Sequence, residues 1–533
     1  MVLTRFHGYR AALLASVLTV SMASTGRAAP VTDDQARAVA EQVRAWMTGL
    51  VTDRVPLAPG LFSVQPAGDN YSLTVPFPPG LLEAKDAAGQ TTSGALVVLA
   101  RPEDGTRWRI ESMKMPMDFR LSTASAAAMG NLSSPQKPSA APPKVAGPDS
   151  PATPAPRPMP VAVPSLDWHV RSQSASGIFD TAQATDSHLD YVLEGVSYDA
   201  KNLGGSDSSH TSVERYHGIS RMHPTPSGGV DFSGDVTMEG YTQVTSNDVF
   251  GQIRVSARSA SVRGDMKAVM TGQIATLIRL AVTAGLDARD AKGAGAAGAQ
   301  SAAKQDMTRN VFAAINGLLA GMRVDETVQG IVIEVPQGRG SADSIRFAVG
   351  GDAPGSKFQG FMEFGVDGLK LLGLPPQFAD LVPRKFVMRP TVANLDVKAL
   401  TALMQESAAG GANDAVIKAK MAGIFTGSGV RYGIEQLDVD LGFANLTASG
   451  NATMLNASAG RGEADITVVG LDALMQRAQT MPEGAQAVAV MAMAKGFGKA
   501  EGAKTTWHVS FSEDNKLVVN GIDMSAMAGG GKK

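Results

Sequence analysis

Residues 430–443 read Val-Arg-Tyr-Gly-Ile-Glu-Gln-Leu-Asp-Val-Asp-Leu-Gly-Phe. Apolar and polar side chains alternate in two runs, Val430 to Ile434 and Leu437 to Phe443. Because successive side chains of a strand point to opposite faces, this alternation is typical of a strand with one apolar and one polar face. It predicts a one-sided antiparallel sheet.

The same alternation recurs along the chain after residue 165. It is present at Ile331, Ile333 and Val335, at Ile345, Phe347 and Val349, at Met362, Phe364 and Val366, and at Trp507, Val509 and Phe511. A polar turn at 513–516 and the run Leu517 to Val519 predict a terminal hairpin. The predicted fold class is α+β: a mainly antiparallel β-sheet with amphipathic helices packed on one face, plus a small N-terminal α/β module.

The small N-terminal α+β module is predicted over residues 30–123. Thr32 and Gln35 have the spacing of a capping box, which starts a helix whose apolar side carries Val39 and Val43. Alternating apolar residues from Tyr71 onward predict a few strands that pack on this helix.

A Pro-rich linker is predicted over residues 124–164, where 11 of the 29 prolines of the chain fall. Such a composition cannot bury enough apolar surface to offset chain entropy. The large β-rich α+β domain follows at 165–525. Apolar residues at helical spacing, such as Met266, Val269 and Ile274, predict a helical pair at 265–322 within it.

Two further helical stretches begin with similar sequences. Asn394-Leu-Asp396 opens one, and Gly470-Leu-Asp472 opens the other. An aspartate near a helix start can accept hydrogen bonds from unpaired backbone N–H groups, so both aspartates are predicted to be caps. The repetition suggests duplicated strand-helix units.

Residues 1–28 are predicted to be a signal peptide, because Arg5 and Arg10 precede the apolar run Ala11 to Ala23 and small residues follow. The expected localisation is periplasmic. The chain of 533 residues has no cysteine, which excludes disulfides, thiol catalysis and cysteine-based zinc sites. Without the signal peptide, 45 basic residues face 50 acidic ones, and a net charge of about −5 argues against nucleic acid as a partner. No transmembrane anchor is expected in the mature chain.

Four histidines cluster in the sequence: His188, His210, His217 and His223. With Glu214 between them they resemble a scrambled metal-ligand set, but their spacing is not that of a zinc helix. We expect solvated loop histidines and predict no metal-binding or cofactor-binding residues. An exported metal-dependent hydrolase stays open as an alternative.

Two other motifs give even weaker support for a chemical function than the histidines do. Ser301 and Lys304 match a bare Ser-x-x-Lys in low-complexity sequence without its companion motifs. Asp438 and Asp440 lie two residues apart on one strand, which predicts a solvated face and not a pair of carboxylates flanking a scissile bond. No catalytic residue is predicted, and the protein is expected not to be an enzyme.

The last hundred residues contain a series of short motifs: Gly429 to Tyr432, Leu437 to Leu441, Gly460 to Val468, Gly470 to Leu474, a helix ending at Phe497, and Leu517 to Gly521. In these motifs the chain is similar to an uncharacterised family of alphaproteobacterial envelope proteins, a domain of unknown function. The Pro-rich linker and a Gly/Ala-rich insertion at 291–303 depart from that family. The family supplies no catalytic residues. A more distant likeness in layout is to AsmA-like proteins, which hold acyl chains in a β groove.

Three functions follow as hypotheses. The first is a non-enzymatic cell-envelope protein whose apolar sheet face, rich in Met and Leu, binds a lipid or another apolar ligand. The second is a structural adaptor in envelope assembly, with an envelope protein as partner and the N-terminal module as its docking element. The third is the metal-dependent hydrolase.

Overall fold

The structure is a computed structural model. It describes residues 31–50, 62–122 and 165–270 with short gaps, a few positions between 272 and 318, and 320–524 with short gaps. The predicted signal peptide, the Pro-rich linker, Ser301 and Lys304 lie outside the described residues.

The N-terminal helix, α1, spans Asp33–Leu50 and begins as predicted. The Thr32 amide donates to Gln35 Oε1 at 3.0 Å, and the Gln35 amide donates to Thr32 Oγ1 at 3.3 Å. This reciprocal pair satisfies two N–H groups that a helix start leaves unpaired. Val39 and Val43 are buried against the strands that follow.

Seven strands follow α1: β1 (Ser63–Ala67), β2 (Asn70–Pro76), β3 (Glu83–Lys85), β4 (Thr91–Ser93), β5 (Ala95–Asp104), β6 (Arg107–Lys114) and β7 (Asp118–Ser122). They are antiparallel, in the order β1-β2-β5-β6, with β3 joining β4 to β7. Tyr71, Leu73, Leu96 and Val98 are buried under α1.

This module shares its sheet with the region after residue 165. Strands β8 (Ser165–His169) and β9 (Ser172–Asp180) pair with β7 and β6, respectively, and both pair with β10 (Ser187–Lys201). Phe179 of β9 belongs to the same buried cluster as Val39 and Trp108. The residues on either side of the predicted linker therefore lie in neighbouring strands and share one hydrophobic core.

From β10 the sheet continues through long antiparallel strands. They are β11 (Ser208–Pro224), β12 (Val230–Asn247), β13 (Gly251–Val269), β14 (Gly321–Val335), β15 (Gly338–Asp352), β16 (Lys357–Asp367), β17 (Lys370–Leu372), β18 (Lys385–Asp396), β19 (Arg431–Asp440), β20 (Asn445–Met454), β21 (Gly460–Val469), β22 (Lys499–Glu501), β23 (Lys504–Phe511), β24 (Leu517–Val519) and β25 (Ile522–Asp523). Each pairs with the next, except that β17 and β22 are short additions along β15 and β23. The predicted antiparallel, β-rich class is confirmed, and so is the terminal hairpin of β23 and β24.

Five helices complete the described elements: α2 (Pro376–Ala379), α3 (Val397–Ala408), α4 (Asp414–Thr426), α5 (Leu471–Gln479) and α6 (Gly484–Phe497). The pair α3–α4 connects β18 to β19, and α5–α6 connects β21 to β22, so both pairs follow the predicted repetition. Asp396 is a cap, since its Oδ1 accepts the Ala399 amide at 2.9 Å. Asp472 lies in the first turn of α5, but its carboxylate pairs with Lys495 at 2.5 Å, so it is not the predicted cap.

A row of residues that we call the slip row crosses strands β10 to β16. In it, glycines with positive φ alternate with charged residues on neighbouring strands or directly beside a strand end: Arg171, Gly195, Glu214, Gly240, Arg258, Gly330, Asp343 and Gly368. Gly195, Gly240 and Gly330 have φ of 58°, 63° and 61°, the left-handed region that favours glycine. A Cβ at Gly195 would lie 2.9 Å from the Arg171 side chain, and one at Gly240 would overlap the Glu214 carboxylate.

The slip row shifts the alternation of side chains by one residue on every strand that it crosses. Leu193 before it and Val196 after it pack in the same cluster, although they are three residues apart; Met238 and Tyr241 do the same. The register on either side is unchanged because opposite strands shift together. A short motif accompanies the shift on alternate strands: Leu193-Glu-Gly-Val196, Met238-Glu-Gly-Tyr241, Val328-Gln-Gly-Ile331 and Val366-Asp-Gly-Leu369.

The helical pair predicted at 265–322 is wrong at both ends. Met266 and Val269 belong to β13, and Met322 belongs to β14. Their helix-like spacing of three residues comes from another shift in alternation, at Ala268, whose φ is 50°. Helical residues begin at 272, and most of the predicted pair lies outside the described residues.

A buried carboxylate joins the two parts of the sheet. Asp180, at the end of β9, is 1% exposed. It accepts hydrogen bonds from Thr106 Oγ1 at 2.6 Å, Thr185 Oγ1 at 2.8 Å and the Thr185 amide at 2.7 Å. Burial pushes the pKa of Asp180 upward, but these hydrogen bonds outweigh it and hold the pKa below the usual aspartate value.

We predict that Asp180→Ala lowers the free energy of unfolding by about 3 kcal/mol at pH 7, because it leaves several buried donors unpaired. A lowered pKa stabilises the fold above the unfolded-state value near 4 and loses that effect as the pH falls through the folded-state value. The difference between wild type and variant should therefore shrink between pH 5 and about pH 2 in urea unfolding. Asp199→Ala, at an exposed carboxylate, is the control and should cost under about 1 kcal/mol. Equal losses would contradict the role of Asp180.

We predict that Gly240→Ala destabilises the protein by about 2–4 kcal/mol, because the left-handed conformation and the Glu214 side chain both oppose a Cβ. Gly228 also has positive φ, at 82°, but has no atom within 4 Å of its Cβ position. Gly228→Ala should therefore cost only about 1–2 kcal/mol in the same thermal and urea unfolding measurements. If the two variants lose the same stability, close packing in the slip row is not what requires the glycine.

Candidate functional site: the apolar face of the sheet

One row of directly opposed residues shows how apolar the sheet face is. It runs across seven strands, β15 to β23, through Phe347, Phe364, Met388, Leu437, Ala448, Ile466 and Trp507. Residues that are directly opposite in an antiparallel sheet point to the same face. At about 4.8 Å between strands, the row spans about 29 Å. The predicted one-sided pattern is therefore continuous across the sheet.

The neighbouring rows on this face are also apolar, and together we call them the apolar face. Its further members are Val324, Val328, Ile345, Val349, Met322, Met362, Val366, Phe386, Pro390, Val392, Tyr432, Ile434, Val439, Leu446, Ala452, Ala464, Val468, Val509 and Phe511. Glu326, opposite Phe347, is the charged exception.

The opposite face carries the charges. Arg389 lies 3.1 Å from Glu435 and 4.2 Å above the Phe361 ring, and Arg323 lies 2.7 Å from Asp325. Ion pairs of this kind keep the polar face hydrated, whereas the apolar face is suited to exclude water.

Asp438, which the sequence placed on the polar face, lies there. It accepts hydrogen bonds from Lys385 Nζ at 2.6 Å and Asn445 Nδ2 at 3.0 Å. Burial raises its pKa, but the two hydrogen bonds outweigh burial and keep the pKa below the ordinary value. Asp440 instead accepts the Gly442 amide at 2.6 Å in the turn that follows. The two carboxylates thus have separate structural partners.

Both helix pairs lie on the apolar face, at opposite ends of the strands. Tyr432 Oη donates to the Phe425 carbonyl of α4 at 3.2 Å, and Trp507 Nε1 donates to the Ala494 carbonyl of α6 at 2.8 Å. The prediction of helices on one face is confirmed for these pairs. However, α4 and α6 are not simply amphipathic, because Val416 of α4 and Met493 of α6 are exposed at 46% and 59%.

Between the helix pairs a band of large apolar side chains is left open, which we call the apolar strip. It consists of Met322, Met362, Phe364, Tyr432 and Ile434, each between 36% and 46% exposed. Met362 and Phe364 are neighbours on one face of β16, and Met322 and Tyr432 lie in one row, separated by Gly351, Gly360 and Val392. Exposed apolar side chains gathered in this way mark a binding surface more often than isolated ones do.

Beside the apolar strip, the surface of the sheet is lower because the residues of β20 and β21 on this face are small. Gly450 lies opposite Ile434 and Ala464, and Ala452 lies opposite Tyr432 and Gly462. On the far side, Phe511 of β23 covers Gly462, whose Cβ position lies 2.6 Å from the Phe511 ring. The apolar face is thus stepped, with aromatic and branched side chains on both sides of a row of alanines and glycines.

The clustered histidines lie on β10 and β11 and do not converge. His210 lies 2.8 Å from Asp199, His217 lies 3.0 Å from Asp190, and His223 lies 2.9 Å from Asp186. They are strand residues and not the predicted loop residues. His188 lies opposite Ile178 and Arg221 in the register. Among the residues that the structure describes, no group of three ligands is arranged to hold a metal ion.

The alternation predicted β15, β16, β19, β23 and the second half of β14, but it did not predict β18, β20 and β21. The simple alternation also did not predict the early parts of β14 and β15, because the slip row shifts the alternation within these strands. In the sequence, Val324 and Val328 are therefore out of phase with Ile331 and Ile333. The repeated apolar-acidic-or-amide-Gly-apolar motif is the signal that could have located the shift.

None of the described helices has the length and hydrophobicity that crossing a bilayer requires. Comparison with known proteins adds no family: no family model, no curated protein and no solved structure matches this chain.

Proposed function

We propose that this chain is a non-enzymatic periplasmic protein of the cell envelope that binds the acyl chain of a lipid on the apolar strip. The observation that carries the proposal is the set of five large apolar side chains left open between the two helix pairs. A hydrocarbon chain laid on them would remove apolar area from water at about 25 cal/mol per Å².

An acyl chain suits this surface better than a folded protein does. The strands pair with one another on both sides, so their backbone groups need no partner from a ligand. A protein interface would surround its apolar centre with polar groups that form hydrogen bonds, whereas the neighbouring rows here are again apolar. Methionines at 322 and 362 can adjust to chains of different length and unsaturation.

The periplasmic location rests on the leader pattern in residues 1–28. Fractionation of cells that carry the tagged full chain tests it: the mature form should appear in the periplasmic fraction, shortened by the leader. The non-enzymatic character is supported by the separate partners of Asp438 and Asp440 and by the histidine–aspartate pairs.

We predict that the purified protein takes up a fluorescent fatty acid and that Met362→Asp and Ile434→Asp each weaken the uptake at least about tenfold. Each substitution puts a carboxylate on a surface that must lose water when the chain binds, and a tenfold loss corresponds to about 1.4 kcal/mol. Fluorescence titration measures the dissociation constant, and native mass spectrometry detects lipid that copurifies.

Thr453→Asp is the matched control. Thr453 is on the polar face of β20, directly opposite Arg431 and Arg461, so an added carboxylate has partners there. Its uptake should match wild type, and thermal unfolding should show all three variants folded. The proposal fails if wild type binds no fatty acid, or if the two strip variants bind it as tightly as the control does.

A further inference from the structure

A second exposed apolar surface lies at one end of the sheet, between β16 and β18. Here β17 pairs only with Arg339 to Ser341 of β15, and the chain then continues through Gly373 into the short helix α2. Four large apolar side chains in this segment are exposed: Leu371 at 43%, Leu372 at 65%, Leu374 at 37% and Phe378 at 40%. We call residues 370–380 the apolar tip.

The apolar tip is continuous with the apolar face. Leu371 lies directly opposite Gly340, which lies directly opposite Ile333, so these positions share one face. The Leu371 side chain lies 3.3 Å from the Cβ position of Gly340, and Ile333 is itself exposed. Beyond Ile333, the buried Ile331 and Ala342 connect this row to the rest of the face.

One helix pair lies at the same end of the sheet. Asp380, at the end of the tip, forms an ion pair with Arg477 of α5. The partner helix α6 exposes Val490 and Met493. The ion pair thus joins the tip to α5, and the tip and α6 both present exposed apolar side chains.

Exposed basic side chains flank the tip, and acidic side chains at this end of the sheet have partners: Asp367 accepts the Ser344 hydroxyl at 3.1 Å, and Asp440 accepts the Gly442 amide at 2.6 Å. Lys370 and Arg384 flank residues 371–383, which contain one acidic residue, Asp380. Lys370 and Arg384 are exposed, whereas Asp380 is engaged by Arg477, and Glu334 on the neighbouring β14 is engaged by Arg339 at 3.8 Å. Apolar side chains beside exposed basic ones suit the interface of an anionic bilayer, where tails lie below phosphate headgroups.

We propose that the apolar tip inserts Leu371, Leu372, Leu374 and Phe378 into the surface of an anionic phospholipid bilayer, with Lys370 and Arg384 at the headgroups. This deepens the proposed function and rests on it: docking at the tip places the continuous apolar path from Leu371 to the apolar strip next to the lipid that the strip binds.

The experiment is cosedimentation of the full mature chain with vesicles of three parts phosphatidylcholine to one part phosphatidylglycerol. Wild type should bind, and the double variant Leu372→Asp, Leu374→Asp should bind at least tenfold more weakly. Both side chains are exposed, and circular dichroism and thermal unfolding should match wild type. Val416→Asp is the control: Val416 is 46% exposed on α4, at the opposite end of the strands, and its variant should bind like wild type.

Two further measurements separate the outcomes. Fatty-acid uptake without vesicles should be the same in the tip variant as in wild type. If wild type binds vesicles but takes up no fatty acid, the proposed function is overturned and the tip proposal is not. The tip proposal is overturned if wild type does not bind the vesicles, or if the tip variant binds them as tightly as wild type does. It is also overturned if ultracentrifugation shows a wild-type dimer that the tip variant abolishes, because the tip would then be an interface between copies.

Discussion

The register of the antiparallel strands is the constraint on which the rest of the structure depends. Directly opposed residues share a face, so a shift of one residue on any single strand would move its apolar set to the charged side. Seven strands keep Phe347, Phe364, Met388 and their partners in one row, while Arg389 and Lys385 stay on the other side with their acidic partners. Everything proposed for the apolar strip follows from this agreement between neighbouring strands.

The slip row shows how the alternation of side chains in such a sheet can shift by one residue while the apolar side chains stay on one face. A left-handed glycine alone would turn the following residues of its strand to the wrong face. Here the opposite strand shifts at the same position, and its charged side chain, such as Glu214 over Gly240, occupies the space that a Cβ would need. Leu193, Val196, Val213 and Met238 remain in one cluster as a result.

Local sequence predicted the capping box at Thr32, the alternation in β16 and β19, the helix cap at Asp396 and the terminal hairpin. These depend on residues that are close in sequence. The pairing of β6 with β9, the phase shifts and the openness of the apolar strip depend on contacts between distant residues, so the pattern could not supply them. The spacing of Met266 and Val269 led to the wrong prediction of a helix. A strand with a phase shift and a helix both place apolar side chains three residues apart, and the pattern alone does not distinguish them.

The spacing of the slip-row glycines on every second strand also bears on how this protein could have grown. Gly195, Gly240 and Gly330 each belong to a different two-strand unit, β10–β11, β12–β13 and β14–β15, and each unit carries its own phase shift together with the charged residue that fits the next glycine. Inserting or deleting one whole unit keeps both sides of the sheet in order, whereas inserting a single strand does not. The number of hairpins, and with it the breadth of the surface, can therefore vary during evolution by tandem duplication.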